Sequence, residues 1–160
     1  MSLAINRDEI NEVNSYGLGT PGQYIAFSPK PDFIDSKWSS HYAQYDPAQA
    51  NALLDQTGAV DTDGDGMREL PNGDPLVINI DFATQGIGGG EVELVARYWN
   101  DVGVKTLFKE VTPDEYRGAQ SSNQLDVGAW QKNQPIAIIL GESELFVPPY
   151  ENYFGHTTAI

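Results

Sequence analysis

The chain contains no cysteine, which removes disulfides, thiol chemistry and cysteine-ligated metal centres together. Histidine is nearly as scarce. His41 and His156 are the two present, and neither has a carboxylate or second histidine at a ligand spacing, so neither supports a zinc site or a catalytic triad. Basic side chains are few as well: 9 Lys and Arg stand against 23 Asp and Glu, a formal charge of −14. Phosphate backbones and anionic lipid headgroups would be repelled, so nucleic acid is not an expected partner. No apolar run approaches the ~20 residues of a membrane-spanning helix and no signal-peptide pattern is present, so direct membrane insertion by these 160 residues is not expected. With 23 carboxylates some acidic pairing is inevitable, and the residue order singles out no acid pair of the kind glycoside hydrolysis needs. An enzyme is not expected.

The most informative stretch that is present runs over 45–69, YDPAQANALLDQTGAVDTDGDGMRE. Asp46 suits an N-cap, Pro47 the first helical position and Gly58 the left-handed residue after a helix, which predicts a helix over 47–57. Asp61, Asp63 and Asp65 then alternate before Gly66, the opening of a DxDxDG calcium loop, in which clustered carboxylates supply hard oxygen ligands. The twelfth loop position holds Asn72 where a bidentate Glu is wanted, and Pro71 and Gly73 break any following helix, so an ordinary EF-hand is not expected. Two readings stand for this acidic loop over 61–74. Asp61, Asp63, Asp65 and Glu69 hold calcium, with Glu69 ligating directly or through water, or the aspartates form a solvated turn bonded to their own backbone. No other cofactor is required.

Elsewhere the periodicities predict a short order of elements. Asn6 with Glu9 is a capping box opening a helix over 7–14. Residues 16–45 are rich in Gly, Pro, Ser and aromatics and read as irregular. Leu76, Ile78, Ile80 and Phe82 give a strand with one apolar face; Val92, Val95, Trp99 and Val102 give an amphipathic helix ending at Gly103. A second strand over 104–111, a helix capped by Thr112 with Pro113 and Glu115, and a third strand over 125–130 follow. GIGGG at 86–90 lies between strand and helix, but it lacks the Lys and Ser/Thr of a phosphate loop, and Glu91 and Glu93 would place negative charge where an anion must sit. It reads as a connection. Tyr24, Phe27, Phe33, Trp38, Tyr42 and Tyr45 crowd the irregular segment, where they would stack on a ligand or, as expected here, form core or an interface with another lobe.

The succession YDPAQANALLDQTG, DTDGDGMRE, PLVINIDFAT, EVELVARYWNDVGV and KTLFKEVTPDEY resembles the family 5 extracellular solute-binding proteins, the peptide-type receptors of ABC importers. SLAINRDEINEV and LDVGAW fit the same pattern, so the likeness runs from Leu3 to Trp130, and the tail FVPPYENYFG fits some members. The resemblance implies an α+β fold, helices packed on a mixed β-sheet, as in the C-terminal lobe (domain 3) of such a receptor. Members are several hundred residues long, so 1–160 would be a single partial domain. It further implies capture of an oligopeptide-like or oligosaccharide-like solute between two lobes, for delivery to the membrane permease of an ABC importer. The setting would be extracellular or periplasmic, with the whole protein tethered to the cell envelope.

The family places ligand contacts just after the strand that ends here at Trp130, which makes Trp130, Gln131, Asn133 and Gln134 the expected ligand contacts. One departure stands out. Peptide-binding members typically follow this tryptophan with an aspartate that pairs with the ligand's amino terminus, whereas WQKNQP contains no acid. A buried ammonium without a counter-charge is costly, so neutral amides suit an uncharged, polyhydroxylated solute better than a free-amine peptide. The alternative class is a calcium-stabilised extracellular carbohydrate-binding or adhesion module, which would bind sugar on its own and melt higher with calcium.

Overall fold

A computed structural model describes residues 1–23, 32, 35–83 and 87–130. Local caps decide where the helices begin. After a 3-10 turn at Ser2–Ala4, helix α1 (Arg7–Ser15) starts where the Asn6 side chain accepts a hydrogen bond from the Glu9 amide at 3.1 Å. Helix α3 (Pro47–Gln56) starts where Asp46 accepts from the Gln49 amide at 2.9 Å. Helix α5 (Pro113–Ser121) carries the complete reciprocal box: Thr112 accepts from the Glu115 amide, and the Glu115 carboxylate accepts from Thr112. Between α1 and α3 the described chain is irregular apart from one helical turn, α2 (Lys37–Ser40).

The second half alternates strand and helix: β1 (Val77–Ala83), α4 (Gly89–Asp101), β2 (Lys105–Val111), α5 and β3 (Val127–Ala129). The strands lie in the order β2-β1-β3, and both pairings are parallel, with Ile80 opposite Phe108 on one side and Val127 on the other. Helical crossovers make this possible, because a parallel neighbour needs the chain returned to the starting end of the sheet. Antiparallel contacts among the described residues are isolated bridges, Val60 to Glu69 and Glu69 to Pro75. The result is an α+β arrangement of helices on a small sheet.

The core sits between α4 and the sheet. Val92, Trp99 and Val102 project at helical spacing onto Ile80 and Phe82, joined by Val104, Leu3, Ala4 and Ala50. Each large side chain so buried contributes about 1.5–3 kcal/mol. Of the aromatics expected in a core or interface, Trp38, Tyr42 and Tyr45 are 54%, 43% and 50% exposed, so they are not core of this domain. Tyr24, Phe27 and Phe33 lie outside the described residues.

The capping box expected at α1 is half made, because a tertiary contact takes its acid. Glu9 accepts from Arg97 at 2.5 Å and from the Tyr98 hydroxyl at 2.7 Å, which ties α1 to α4. Hydrogen bonds from Arg97 and Tyr98 hold the Glu9 carboxyl below its usual range, while burial and the Glu9 bond push the Tyr98 hydroxyl up to about 12. A tyrosine that ionises later folded than unfolded lends stability that is intact below pH 10 and is lost as pH rises from 10 towards about 12. The Glu9 contribution has the opposite sense: it is present above the unfolded carboxyl range and lost as pH falls below it. Melting temperature should therefore fall through the alkaline window, and Tyr98→Phe should flatten that slope while costing about 1 kcal/mol at neutral pH. Equal alkaline slopes in the two proteins would refute the assignment.

Candidate functional site

Three of the four candidate metal ligands converge. Carboxylate oxygens of Asp61, Asp63 and Asp65 lie within 4.8 Å of one another at the exposed surface. The loop is closed by its own backbone: Asp61 accepts from the amides of Gly64 (2.7 Å) and Gly66 (3.0 Å), Asp63 from that of Asp65, and Asp65 from that of Met67. Glu69 is not in the cluster. Its carboxylate accepts from the Thr62 amide at 2.8 Å and the Thr62 hydroxyl at 2.6 Å. Asn72, at the twelfth loop position, pairs with Asp74 and closes the next turn.

Three exposed carboxylates, each offering one oxygen, suit a hard cation but leave half or more of the about six to eight oxygen positions of calcium to water or backbone carbonyls. Calcium is expected to bind with a Kd on the order of millimolar, as weakly liganded extracellular sites do. Calorimetric titration checks this, and micromolar affinity would show that further ligands swing in.

What fixes the loop to the domain is Arg68, which the sequence pattern did not single out. The side chain is 10% exposed. Its Nε donates to the Val102 carbonyl at 2.8 Å, Nη1 to Asp55 at 2.6 Å and to the Ala59 carbonyl at 2.5 Å, and Nη2 to Asn51 at 2.8 Å. The Arg68 amide donates to the Gly103 carbonyl, and its own carbonyl accepts from Leu76. One guanidinium thus joins α3, the base of the acidic loop and the end of α4. Gly103 has φ +81°, and a Cβ there would lie 3.0 Å from Arg68 Cγ and 3.2 Å from the Gly66 carbonyl, so the motif's glycine makes room for the arginine.

Trp130 stands at the carboxyl end of β3, half-buried. Its ring centroid is 5.1 Å from that of Tyr116 at 48°, and the Arg117 guanidinium carbon lies 5.8 Å from it. Burial, then the charge of Asp81, pushes the Tyr116 hydroxyl pKa up. The Asn79 amide and side chain both donate to Asp126, at 3.1 and 2.7 Å, and set where β3 enters the sheet. Gln131, Asn133 and Gln134 lie outside the described residues. The crevice beyond the carboxyl ends of parallel strands is where sheets of this kind take ligands.

On the α4 face a hollow of about 350 Å³ is walled by apolar side chains, Ile80, Val92, Val95 and Trp99 among them. Glu91 is the one carboxylate among its described lining residues.

Residues 1–136 match the family described as bacterial extracellular solute-binding proteins, family 5, middle region. The chain belongs to that family. An oligopeptide-binding protein OppA is 33% identical with a TM-score of 0.80, over 94% of this chain and 23% of that one. A periplasmic oligopeptide-binding protein of an ABC transporter from Thermotoga maritima, bound to mannohexaose, is 23% identical with a TM-score of 0.63, over 79% and 24%. The periplasmic binding protein MelB of Agrobacterium fabrum, in complex with stachyose, is 18% identical with a TM-score of 0.71, over 90% and 22%. At those two identities the likeness speaks for the fold. The chain spans about a quarter of the length of these proteins. No curated sequence matches it.

Members of the family are described as extracellular solute-binding proteins, and the Thermotoga maritima relative is the periplasmic binding protein of an ABC transporter. No helix among the described residues is long and apolar enough to cross a membrane.

Proposed function

We propose that these residues form part of a lobe that closes with a second lobe over an uncharged, oligosaccharide-like or peptide-like solute and delivers it to a membrane permease. Closure spends the binding energy on bringing the lobes together, and no bond is made or broken. Trp130 is the anchoring contact, followed by the neutral amides of Gln131, Asn133 and Gln134. The observation that carries this reading is the Trp130 ring, partly exposed at the end of β3 and braced by Tyr116 and Arg117. A flat ring held in place buries large area with little rotamer entropy to lose. Mannohexaose and stachyose, found on two structural relatives, are of the polyhydroxylated class that amides with no acid beside them in the sequence suit. The intact receptor would be anchored at the envelope.

The test is calorimetry on the whole receptor and on the 160-residue chain with the same neutral oligosaccharides. The chain alone should bind at least ~100-fold more weakly, because half the contacts and the closure step are missing. In the whole receptor Trp130→Ala should weaken binding roughly tenfold or more. Equal affinity of chain and receptor, with a large calcium-dependent rise in melting temperature, would point instead to a self-contained carbohydrate-binding or adhesion module. Tight selectivity for free-amine peptides would overturn the uncharged-solute part.

A further inference from the structure

The connections cross the sheet in opposite directions, β1 to β2 through α4, then β2 back past β1 to β3 through α5. Right-handed crossovers put the two helices on opposite faces. The contacts agree, since a Cβ on Gly128 would meet Tyr116 of α5, whereas Val127 and Ala129, which point to the other face, line the hollow beside α4. On that face α4 packs over β1 and β2. Beside it, β3 is left as the floor of the hollow of about 350 Å³.

Parallel sheets carry helices on both faces, because crossovers place them there and both faces are apolar. The hollow has the character of such a place. Val127 and Ala129 form its floor, Val92 and Val95 of α4 its wall, and α1 reaches it through Ile10 alone among the described residues. A second helix laid along α4, at about 8–10 Å from its axis, would rest on floor and wall together. A strand would not serve, because it would add beside β3 at the sheet's free edge and leave the floor bare. Nor would a polyhydroxylated solute, whose hydroxyls would leave water for a lining that is apolar apart from Glu91 and the Trp99 indole. By alternation Trp130 points to the α5 face, so the hollow is separate from the proposed solute contact.

Such a helix needs about ten residues or more, and the remainder of the 160 supplies no such run. Between its prolines and glycines the longest unbroken stretch of 131–160 is 142–147, ESELFV, while 24–34 is cut by Pro29 and Pro31. The OppA relative is far longer, this chain covering 23% of it. We infer that an amphipathic helix of the same receptor, from outside these 160 residues, lies along α4 and over β3 and closes the hollow. Its apolar residues recur at three and four, and a Lys or Arg on it meets half-buried Glu91, which takes part in no ion pair among the described residues. The inference stands on the fold and the family, and does not need the solute reading.

The test is made on the whole receptor. A diazirine side chain placed at position 95 is photolysed, and the cross-linked peptides are mapped by mass spectrometry. Cross-links are expected to a segment outside 1–160 with apolar residues at three- and four-residue spacing and no internal proline. In Val95→Cys, on a background without other reactive thiols, the thiol should label in the folded receptor at least ~100-fold more slowly than in urea. A cross-link to 131–160 would show that the chain's own tail fills the hollow, and one to another receptor molecule that the face joins two copies. Either result overturns the inference, as does a cross-linked segment whose apolar residues alternate at two. Labelling of the folded receptor within about tenfold of the rate in urea, without a cross-link, would show the hollow open and overturn it as well. Solute binding and its dependence on Trp130 are read separately, so failure here leaves the proposed function standing.

Discussion

Replacing Arg68 with methionine is expected to destabilise the domain by about 3–5 kcal/mol, which for a chain of this length lowers the melting temperature by roughly 10 °C. The figure follows from what is left behind rather than from the ion pair. Asp55 is 57% exposed, so its bond to Arg68 is well screened and contributes little. The Ala59 and Val102 carbonyls are another matter: both accept from the guanidinium in the buried interior, and each orphaned carbonyl costs about 1–3 kcal/mol. Asn51 loses its donor as well. Methionine keeps much of the aliphatic stem's packing, so the measured loss would report mainly on the polar head. Arg68→Lys should fall between the two, because an ammonium keeps the charge but cannot fork to α3 and to the end of α4 at once. Chemical denaturation of the three proteins checks this. A methionine variant as stable as the parent would mean that the loop is held by its own turns and that the guanidinium is incidental.

The same residue shows where a sequence stops being legible. The helices were readable because their caps act over three residues: Asp46 onto Gln49, and Thr112 onto Glu115. The convergence of Asp61, Asp63 and Asp65 was readable for the same reason, since alternate positions in a tight turn face one side. Arg68 bonds to groups 9, 13, 17 and 34 residues away, and no local pattern carries that information. Glu9 shows the two ranges in competition. Its spacing from Asn6 is that of a capping box, but Arg97 and Tyr98, 88 and 89 residues on, take the carboxylate. A charge-assisted pair with a buried hydroxyl outweighs a bond to an amide that water can reach. The third strand came out shorter than the apolar run over 125–130 suggests. Asp126 is drawn aside to Asn79, and the ladder begins one residue later, at Val127. Trp130 was placed by family likeness, and the ring that braces it, Tyr116, could not be paired with it from the sequence because α5 had first to be set against the sheet.

That brace makes Gly128 the position where stability and the proposed ligand contact meet. Its φ is unremarkable for any residue, so the constraint is space alone. A Cβ on Gly128 would sit 3.1 Å from Leu125 Cδ1 and 3.1 Å from Tyr116 Cζ, and would press still harder on the Tyr116 hydroxyl. An exposed tyrosine could swing away. Tyr116 is 3% exposed and stacked against Trp130, so its ring has nowhere to go without moving its neighbour. Gly128→Val should therefore destabilise by about 2–3 kcal/mol, against the gain in strand propensity that valine would give in open space. It should also displace Trp130, visible as a changed near-ultraviolet circular dichroism band at temperatures where the far-ultraviolet spectrum is unaltered. In the whole receptor the variant should weaken solute binding as Trp130→Ala does, although residue 128 itself need touch no ligand. Gly128→Ala should show the same effects in smaller measure. If Gly128→Val instead leaves melting temperature and the tryptophan signal unchanged, the packing of Tyr116 over β3 is looser than described, and Trp130 is not held in the orientation on which its proposed role as anchor depends.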